Sequence, residues 1–182
     1  MDEPQQPPIT IYEELDAACH EHDPRAAEVA RRMAEMITAR LPAVIVEHIG
    51  STSIPGCAGK GVVDLMVLYP PGELEQAKAL LDGLGFQRQT TRDPFPEERP
   101  MRIGALEHDG EIFRLHSHVI AVTSEEAAGL RRFRDLLRSD ARARANYVAL
   151  KQAIIKSGVT DTVDYSMAKG EFIRDILDLP SE

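Results

Sequence analysis

The sequence has few cysteines, no long apolar run and no excess of basic residues, and each shortage excludes a class of protein. Its two cysteines, Cys19 and Cys57, have no metal-ligand spacing and cannot form a disulfide framework. No apolar run approaches the roughly 18–20 residues of a membrane span. The net charge of −9 disfavours extended nucleic-acid binding, which needs clustered cations. We therefore expect a cytoplasmic protein without a membrane partner.

The composition is that of an ordinary globular domain. Hydrophobic residues make up 43% of the 182 residues and charged residues 28%, enough for one domain with a buried core. Residues 1–10 are acidic and rich in proline, unlike a signal peptide, and predict a flexible leader. We expect residues 11–182 to form a single domain, with a sheet lobe at about 24–122 and a helical cap at about 124–177.

Alternating strand and helix patterns predict an α+β fold, a mixed β-sheet flanked by helices. The predicted strands are 43–49, 62–69, 86–91, 101–107 and 111–122, the last two joined as a hairpin by an Asp-Gly turn. The predicted helices before the cap are 24–40 and 73–84. The C-terminal segment predicts three helices, at about 124–138, 140–156 and 161–177.

A Gly-Ser pair, Gly50-Ser51, follows the first predicted strand and is succeeded by Thr52. Backbone N–H groups in such a turn can cradle phosphate oxygens, glycine allows a close approach, and the two hydroxyls add donors. The alternative is that Gly50 and Gly56 only supply the positive φ angles of a tight loop. The turn is therefore either a phosphate-binding loop or a purely structural one.

Asp64 interrupts a strand that is otherwise apolar on both faces. Burying a lone carboxylate costs several kcal/mol unless the group is paired, hydrogen-bonded or bound to a metal. The carboxylate could pair with Lys60 or a loop N–H group, or it could bind magnesium or substrate. Two residues later, on the same strand face, Met66 stands where nucleotidyl-transfer sites carry a second acid.

His116 and His118 lie two positions apart in the predicted strand 111–122, so they share one face with Arg114. Imidazoles can bind a metal, exchange protons or contact phosphate. His48, just before the Gly-Ser pair, could join them. The alternative is an ordinary solvated face of the sheet.

Two helical segments each place a lysine four residues after a tyrosine, as Tyr147 with Lys151 and Tyr165 with Lys169. This spacing puts both side chains of a pair on one helix face, where the lysines could supply cations to an anionic ligand. The alternative is that the lysines are solvated and the tyrosines pack against neighbouring helices.

The stretch from Glu47 to Gly56, followed by Lys60 to Asp64, resembles the signature of the GrpB-like family. The resemblance continues through residues 116–118, 133–138, 146–151 and 169–173. It implies a fold similar to the nucleotidyltransferase superfamily, in which Gly50 and Ser51 match the Gly-Ser turn and Asp64 matches the first carboxylate. Met66 departs from the acid-x-acid pattern of active members.

The resemblance implies nucleotidyl or phosphoryl transfer to an unknown acceptor, with Mg²⁺ or another divalent metal and a nucleotide or other phosphorylated small molecule as ligand. The expected catalytic and metal-binding residues are Asp64, His116 and His118. The expected phosphate- or substrate-binding residues are Gly50, Ser51, Thr52, Lys60, Lys151 and Lys169. Because of Met66, two alternatives stay open: a nucleotide- or anion-binding module without catalysis, and an interaction protein that keeps only the fold.

Overall fold

The computed structural model describes residues 7–178 and contains a five-stranded mixed sheet. The strands are β1 (Ile45–Ile49), β2 (Val63–Tyr69), β3 (Gln87–Arg88), β4 (Met101–His108) and β5 (Glu111–Ala121), in the spatial order β1-β2-β5-β4-β3. β2 and β5 are parallel neighbours, and the other pairs are antiparallel. The predicted α+β class is confirmed.

Six α-helices accompany the sheet in the described part of the chain, besides a single 3-10 turn at Ser51–Ser53. They are α1 (Arg25–Arg40), α2 (Leu74–Gly83), α3 (Glu125–Ser139), α4 (Ala141–Lys156), α5 (Thr162–Ala168) and α6 (Gly170–Asp178). Side chains of Ser124, Asp140 and Asp161 accept backbone N–H groups and so begin the predicted C-terminal helices. The last predicted helix is broken into α5 and α6 before Gly170, a residue with weak helix preference. None of the helices between residues 7 and 178 is long and apolar enough to span a membrane.

The central strand β2 is buried on both faces of the sheet. Leu65 and Val67 pack into the core that contains buried residues of α1 and α2. Met66 and Leu68 belong to a second cluster, which includes Ala127 of α3. Because side chains alternate along a strand, Asp64 lies on the Met66 face.

The N-terminal segment 9–20 is part of the fold, and we call it the N-terminal strap. Ile9 is buried, its N–H donates to Leu84, and Thr10 pairs with Ala105 of β4. The predicted flexible leader therefore needs correction at its end, because Ile9 buries apolar surface in the core; residues 1–6 lie outside the described part. The strap then hydrogen-bonds Thr160 through Ala17 and exchanges two backbone hydrogen bonds with Gly59 through His20.

The predicted strand 86–91 is shorter than expected. Only Gln87 and Arg88 pair with β4, opposite Ile103 and Arg102. Further along the same edge of β4, the strap supplies the partner through Thr10. The edge of β4 is therefore paired partly by β3 and partly by the N-terminal strap, which is distant in sequence.

Candidate functional site

Most of the predicted site residues line one cavity of about 560 Å³. Its walls come from the N-terminal strap, the Gly-Ser turn, β2, β4, β5, the loop between β3 and β4, and α5. The predicted residues that line it are Ser51, Thr52, Lys60, Asp64, His116, His118 and Lys169. Gly50, Lys151 and His48 are not among the residues that line this cavity.

Asp64 faces both predicted histidines across the parallel strands β2 and β5. The register sets Asp64 beside His116 and Met66 beside His118. One carboxylate oxygen, Oδ1, lies 3.3 Å from Nδ1 of His116 and 3.7 Å from Nε2 of His118. Burial by itself would raise the pKa of Asp64, but hydrogen bonds from the two imidazoles outweigh it and hold that pKa well below its usual range. Asp64 is therefore an anion at neutral pH.

Each histidine also contacts a residue on the side away from Asp64. The Tyr12 hydroxyl lies 3.0 Å from Nε2 of His116, and Arg99 Nη1 lies 3.1 Å from Nδ1 of His118. An arginine can only donate, so Nδ1 of His118 accepts and its ring hydrogen is on Nε2, which faces Asp64. Burial lowers the pKa of His118, which favours the same neutral form.

The three side chains Asp64, His116 and His118 each present a ligand atom, and these atoms lie within 4.8 Å of one another. The three side chains therefore stay candidates for one metal site. While the Arg99 contact lasts, Nε2 of His118 carries the ring hydrogen and has no lone pair to offer, so Asp64 is the ligand that is ready without a rearrangement. A carboxylate oxygen fits Mg²⁺, which is commonly held by one or two carboxylates together with phosphate oxygens of a ligand.

Gly50 brings the Gly-Ser turn against this carboxylate. Its φ angle is 69°, in the region that favours glycine. A Cβ atom at this position would lie 2.3 Å from Oδ2 of Asp64. Gly50 is therefore required both by its backbone angle and by its close approach to Asp64, although it does not line the cavity.

Lys151 and Thr52 hold the turn from behind. Lys151 is 1% exposed, and its ammonium group donates to Ser51 Oγ at 2.9 Å and to the carbonyl of Ala58. The hydroxyl of Thr52 donates to the carbonyl of Val62 at 3.0 Å. In this structure Lys151 therefore supports the loop, and its predicted phosphate-binding role stays a prediction.

His48 does not join the other histidines. It pairs opposite Leu65, so its side chain lies on the sheet face away from Asp64. Its Nε2 contacts the Thr52 hydroxyl at 2.9 Å, and burial lowers its pKa to about 4. A neutral His48 thus supports the turn.

The cations that line the cavity are Lys60 and Lys169. Their ammonium groups lie 5.5 Å and 4.5 Å from the ring centroid of Tyr165. Burial lowers the pKa of both lysines, and burial together with the charge of Lys60 lowers that of Lys169 to about 7. The hydroxyls of Tyr165 and Thr91, two residues that line the cavity, are buried without a hydrogen-bond partner among residues 7–178. Buried polar groups usually have a partner, so these two hydroxyls are exceptions next to the cavity.

Tyr12 and Arg99 were not among the predicted site residues. Tyr12 reaches His116 across 104 positions of sequence, and Arg99 reaches His118 across 19. No local pattern marks either residue, because only the folded chain creates these contacts.

Comparison with known sequences identifies the family. The model of the family described as GrpB protein matches residues 17–179. A UPF0157 protein of Streptomyces coelicolor is 34% identical over 162 residues, covering 88% of this chain and 82% of that protein. A UPF0157 protein of Pseudomonas aeruginosa is 31% identical over 138 residues, covering 75% of this chain and 55% of that protein.

Comparison with solved structures agrees on the fold. The crystal structure of the conserved protein GrpB from Enterococcus faecalis has a TM-score of 0.67 at 23% identity, covering 88% of this chain and 94% of that one. The structure of mtPAP in complex with CTP has a TM-score of 0.53 at 17% identity, covering 79% of this chain and 36% of that one. At such identities the likeness shows the fold alone. The fold is nucleotidyltransferase-like, and the chain belongs to the GrpB family.

Proposed function

We propose that the protein binds a nucleotide or another phosphorylated small molecule in this cavity, together with one divalent metal ion. The observation that carries the proposal is the convergence of Asp64, Lys60, Lys169 and the Gly-Ser turn on one cavity of a nucleotidyltransferase-like fold. The lysines offer charge to phosphate groups. Solved neighbours of this fold are complexes with CTP and GTP, which supports a nucleotide as ligand.

The site supports one metal ion better than two. Met66 is fully buried among apolar side chains, so the position of the second acid offers no ligand. Asp64 would hold the ion, with Mg²⁺ favoured by its oxygen ligand. When bound, a divalent ion would neutralise phosphate charge and polarise a phosphoryl oxygen.

Nucleotidyl or phosphoryl transfer to an unknown acceptor is the second candidate function. The contact series from Asp64 through His116 to the Tyr12 hydroxyl favours it. Asp64 orients the ring, and an oriented imidazole can take a proton from a neighbouring hydroxyl. Nε2 of His116 could therefore accept the proton of an acceptor hydroxyl that replaces the Tyr12 hydroxyl, as the acceptor oxygen bonds to phosphorus and pyrophosphate (nucleotidyl transfer) or a nucleoside diphosphate (phosphoryl transfer) leaves.

A thermal-shift panel tests the proposal. Wild type is combined with ATP, CTP, GTP or UTP and with Mg²⁺, Mn²⁺ or Zn²⁺, and the panel is repeated on Asp64→Asn. At about 100 times the Kd, a ligand that binds only the native state adds about 2.7 kcal/mol, which corresponds to about 5–10 °C in Tm. We expect a metal-dependent rise in wild type and its loss in Asp64→Asn.

Asp109→Asn is the matched control, because Asp109 lies in the exposed turn between β4 and β5 and asparagine tolerates its φ of 51°. It should keep the full rise in Tm. A flat panel for wild type contradicts the proposal and favours an interaction protein that keeps only the fold. A rise in Tm without chromatographic evidence of nucleotide turnover identifies a binding module, and turnover abolished by Asp64→Asn identifies a transferase.

A further inference from the structure

The cavity has an apolar part in addition to its charged lysines. Phe95, in the loop between β3 and β4, is 41% exposed, and Met167 of α5 is 70% exposed; both line the cavity. Four other large hydrophobic side chains are exposed among residues 7–178, and none lines this cavity: Ile11, Leu15, Ile45 and Ile112. Exposed apolar surface inside a cavity that also holds charged groups is available to a ligand with both characters.

Phe95 is held in place despite its exposure. The Arg99 guanidinium lies 4.4 Å from the ring centroid, and Arg99 is itself fixed by an ion pair with Glu126. The Phe95 N–H donates to the Gln89 side chain at 2.9 Å. A ring that is already oriented loses little conformational freedom when a flat partner stacks on it.

The same contacts link this ring to the carboxylate. The Phe95 and His118 rings meet edge to face with centroids 5.7 Å apart, and Nε2 of His118 lies 3.7 Å from Asp64. One histidine therefore separates the aromatic part of the cavity from the anionic oxygen. A nucleotide has the matching layout, with a flat base joined through a sugar to charged phosphates.

We propose that Phe95 is a stacking surface for the base of a nucleotide whose phosphates lie at Lys60, Lys169 and the divalent ion that Asp64 would hold. This inference rests on the proposed function and narrows its ligand from any phosphorylated small molecule to a nucleotide. Arg99 is the positioning residue for the ring. Stacking on an aromatic side chain tolerates any base, so Phe95 selects for the presence of a base rather than for its identity.

Isothermal titration in the presence of Mg²⁺ tests the inference with two probes, ATP and inorganic tripolyphosphate. From the usual contribution of base stacking, Phe95→Ala should weaken ATP binding about 5- to 150-fold and leave tripolyphosphate binding unchanged. Phe95→Trp keeps an aromatic surface and should retain ATP affinity. Ile112→Ala, an exposed apolar side chain away from the cavity, is the matched control and should change neither Kd.

The outcomes separate the inference from the proposed function. If wild type binds ATP and Phe95→Ala binds it equally well, the stacking role is overturned and the proposed function stands. If Phe95→Ala weakens both probes alike, or Phe95→Trp fails to retain ATP affinity, the stacking role is again overturned. If wild type binds none of the four nucleotides ATP, CTP, GTP and UTP and does not bind tripolyphosphate, the proposed function itself fails.

Discussion

Single side chains in the cavity decide which ligands it can hold and at what pH. Lys169 is the clearest case, because burial and the nearby charge of Lys60 lower its pKa to about 7. Its ammonium charge is therefore present below neutral pH and absent above it. The pKa of Lys60 is also lowered by burial, but it is the pKa of Lys169 that lies close to neutral pH.

Binding of an anionic ligand should strengthen as pH falls through about 7, because Lys169 then becomes a cation. Calorimetry with ATP and Mg²⁺ at about pH 6 and about pH 8 measures the change, with Lys169→Arg as control because arginine keeps its charge at both. The wild type should lose more affinity at the higher pH than Lys169→Arg. Equal pH dependence in the two proteins would contradict the role given to Lys169.

The same lowered pKa sets the sign of a stability effect. Between about 7 and the ordinary value of 10.5, the unfolded chain binds a proton at Lys169 that the folded chain does not. This group therefore makes the free energy of unfolding rise with pH across that window: its destabilising effect is fully present below about pH 7, where the buried amine is charged, and is gone above about 10.5. Lys169→Met removes the group and should flatten this part of the pH profile.

Among the elements, helix α4 determines the shape of the Gly-Ser turn. Lys151 extends from α4 and donates to Ser51 Oγ and the Ala58 carbonyl on opposite sides of the loop. Without Lys151, Ser51 Oγ and the Ala58 carbonyl oxygen would lose this donor. A buried acceptor without a donor costs free energy, because its hydrogen bonds to water are not replaced. The position of Ser51 in the cavity wall therefore depends on a helix about 100 residues away in sequence.

Lys151→Met should lower the free energy of unfolding by about 1–3 kcal/mol, because it keeps the apolar stem and leaves buried acceptors unpaired. Urea denaturation measures the change. Lys156→Met on the same helix is the control; Lys156 is exposed, so its replacement should stay within about 0.5 kcal/mol. Equal stability of the two variants would show that the Lys151 contacts contribute nothing.

On the scale of the whole molecule, the N-terminal strap connects the parts that build the cavity. It pairs with the edge of β4, contacts the segment before α5 through Thr160, and joins the Gly-Ser loop at Gly59. Gly104 makes room for it, since a Cβ there would lie 2.2 Å from Ile9 Cγ2. We expect the described residues to unfold as one cooperative unit, with the strap contributing to its stability.

Ile9→Ala should destabilise the protein by about 2–5 kcal/mol, because it removes a fully buried side chain and leaves a cavity. Ile11→Ala is a matched control two residues away, where the side chain is 84% exposed and the expected change is within about 0.5 kcal/mol. Chemical denaturation followed by circular dichroism compares them. Similar midpoints for the two variants would show that the strap does not contribute to global stability.

Short-range patterns were enough to predict the fold class, the Gly-Ser turn, the acid on β2 and the helix starts. The continuous apolar run of β2, the Gly50 backbone angle and the caps at Ser124 and Asp140 are all local effects. The same patterns marked Asp64, His116 and His118, which the structure brings together in one cavity.

How each of these side chains is used depends on the folded chain. Lys151 and Lys169 have the same spacing from a tyrosine, yet one is buried behind the turn and the other lines the cavity. Arg99 is the further example, since its contact with His118 determines which imidazole nitrogen carries hydrogen. These outcomes depend on contacts between residues far apart in sequence, where packing and hydrogen-bond partners, rather than local preference, set the free energy.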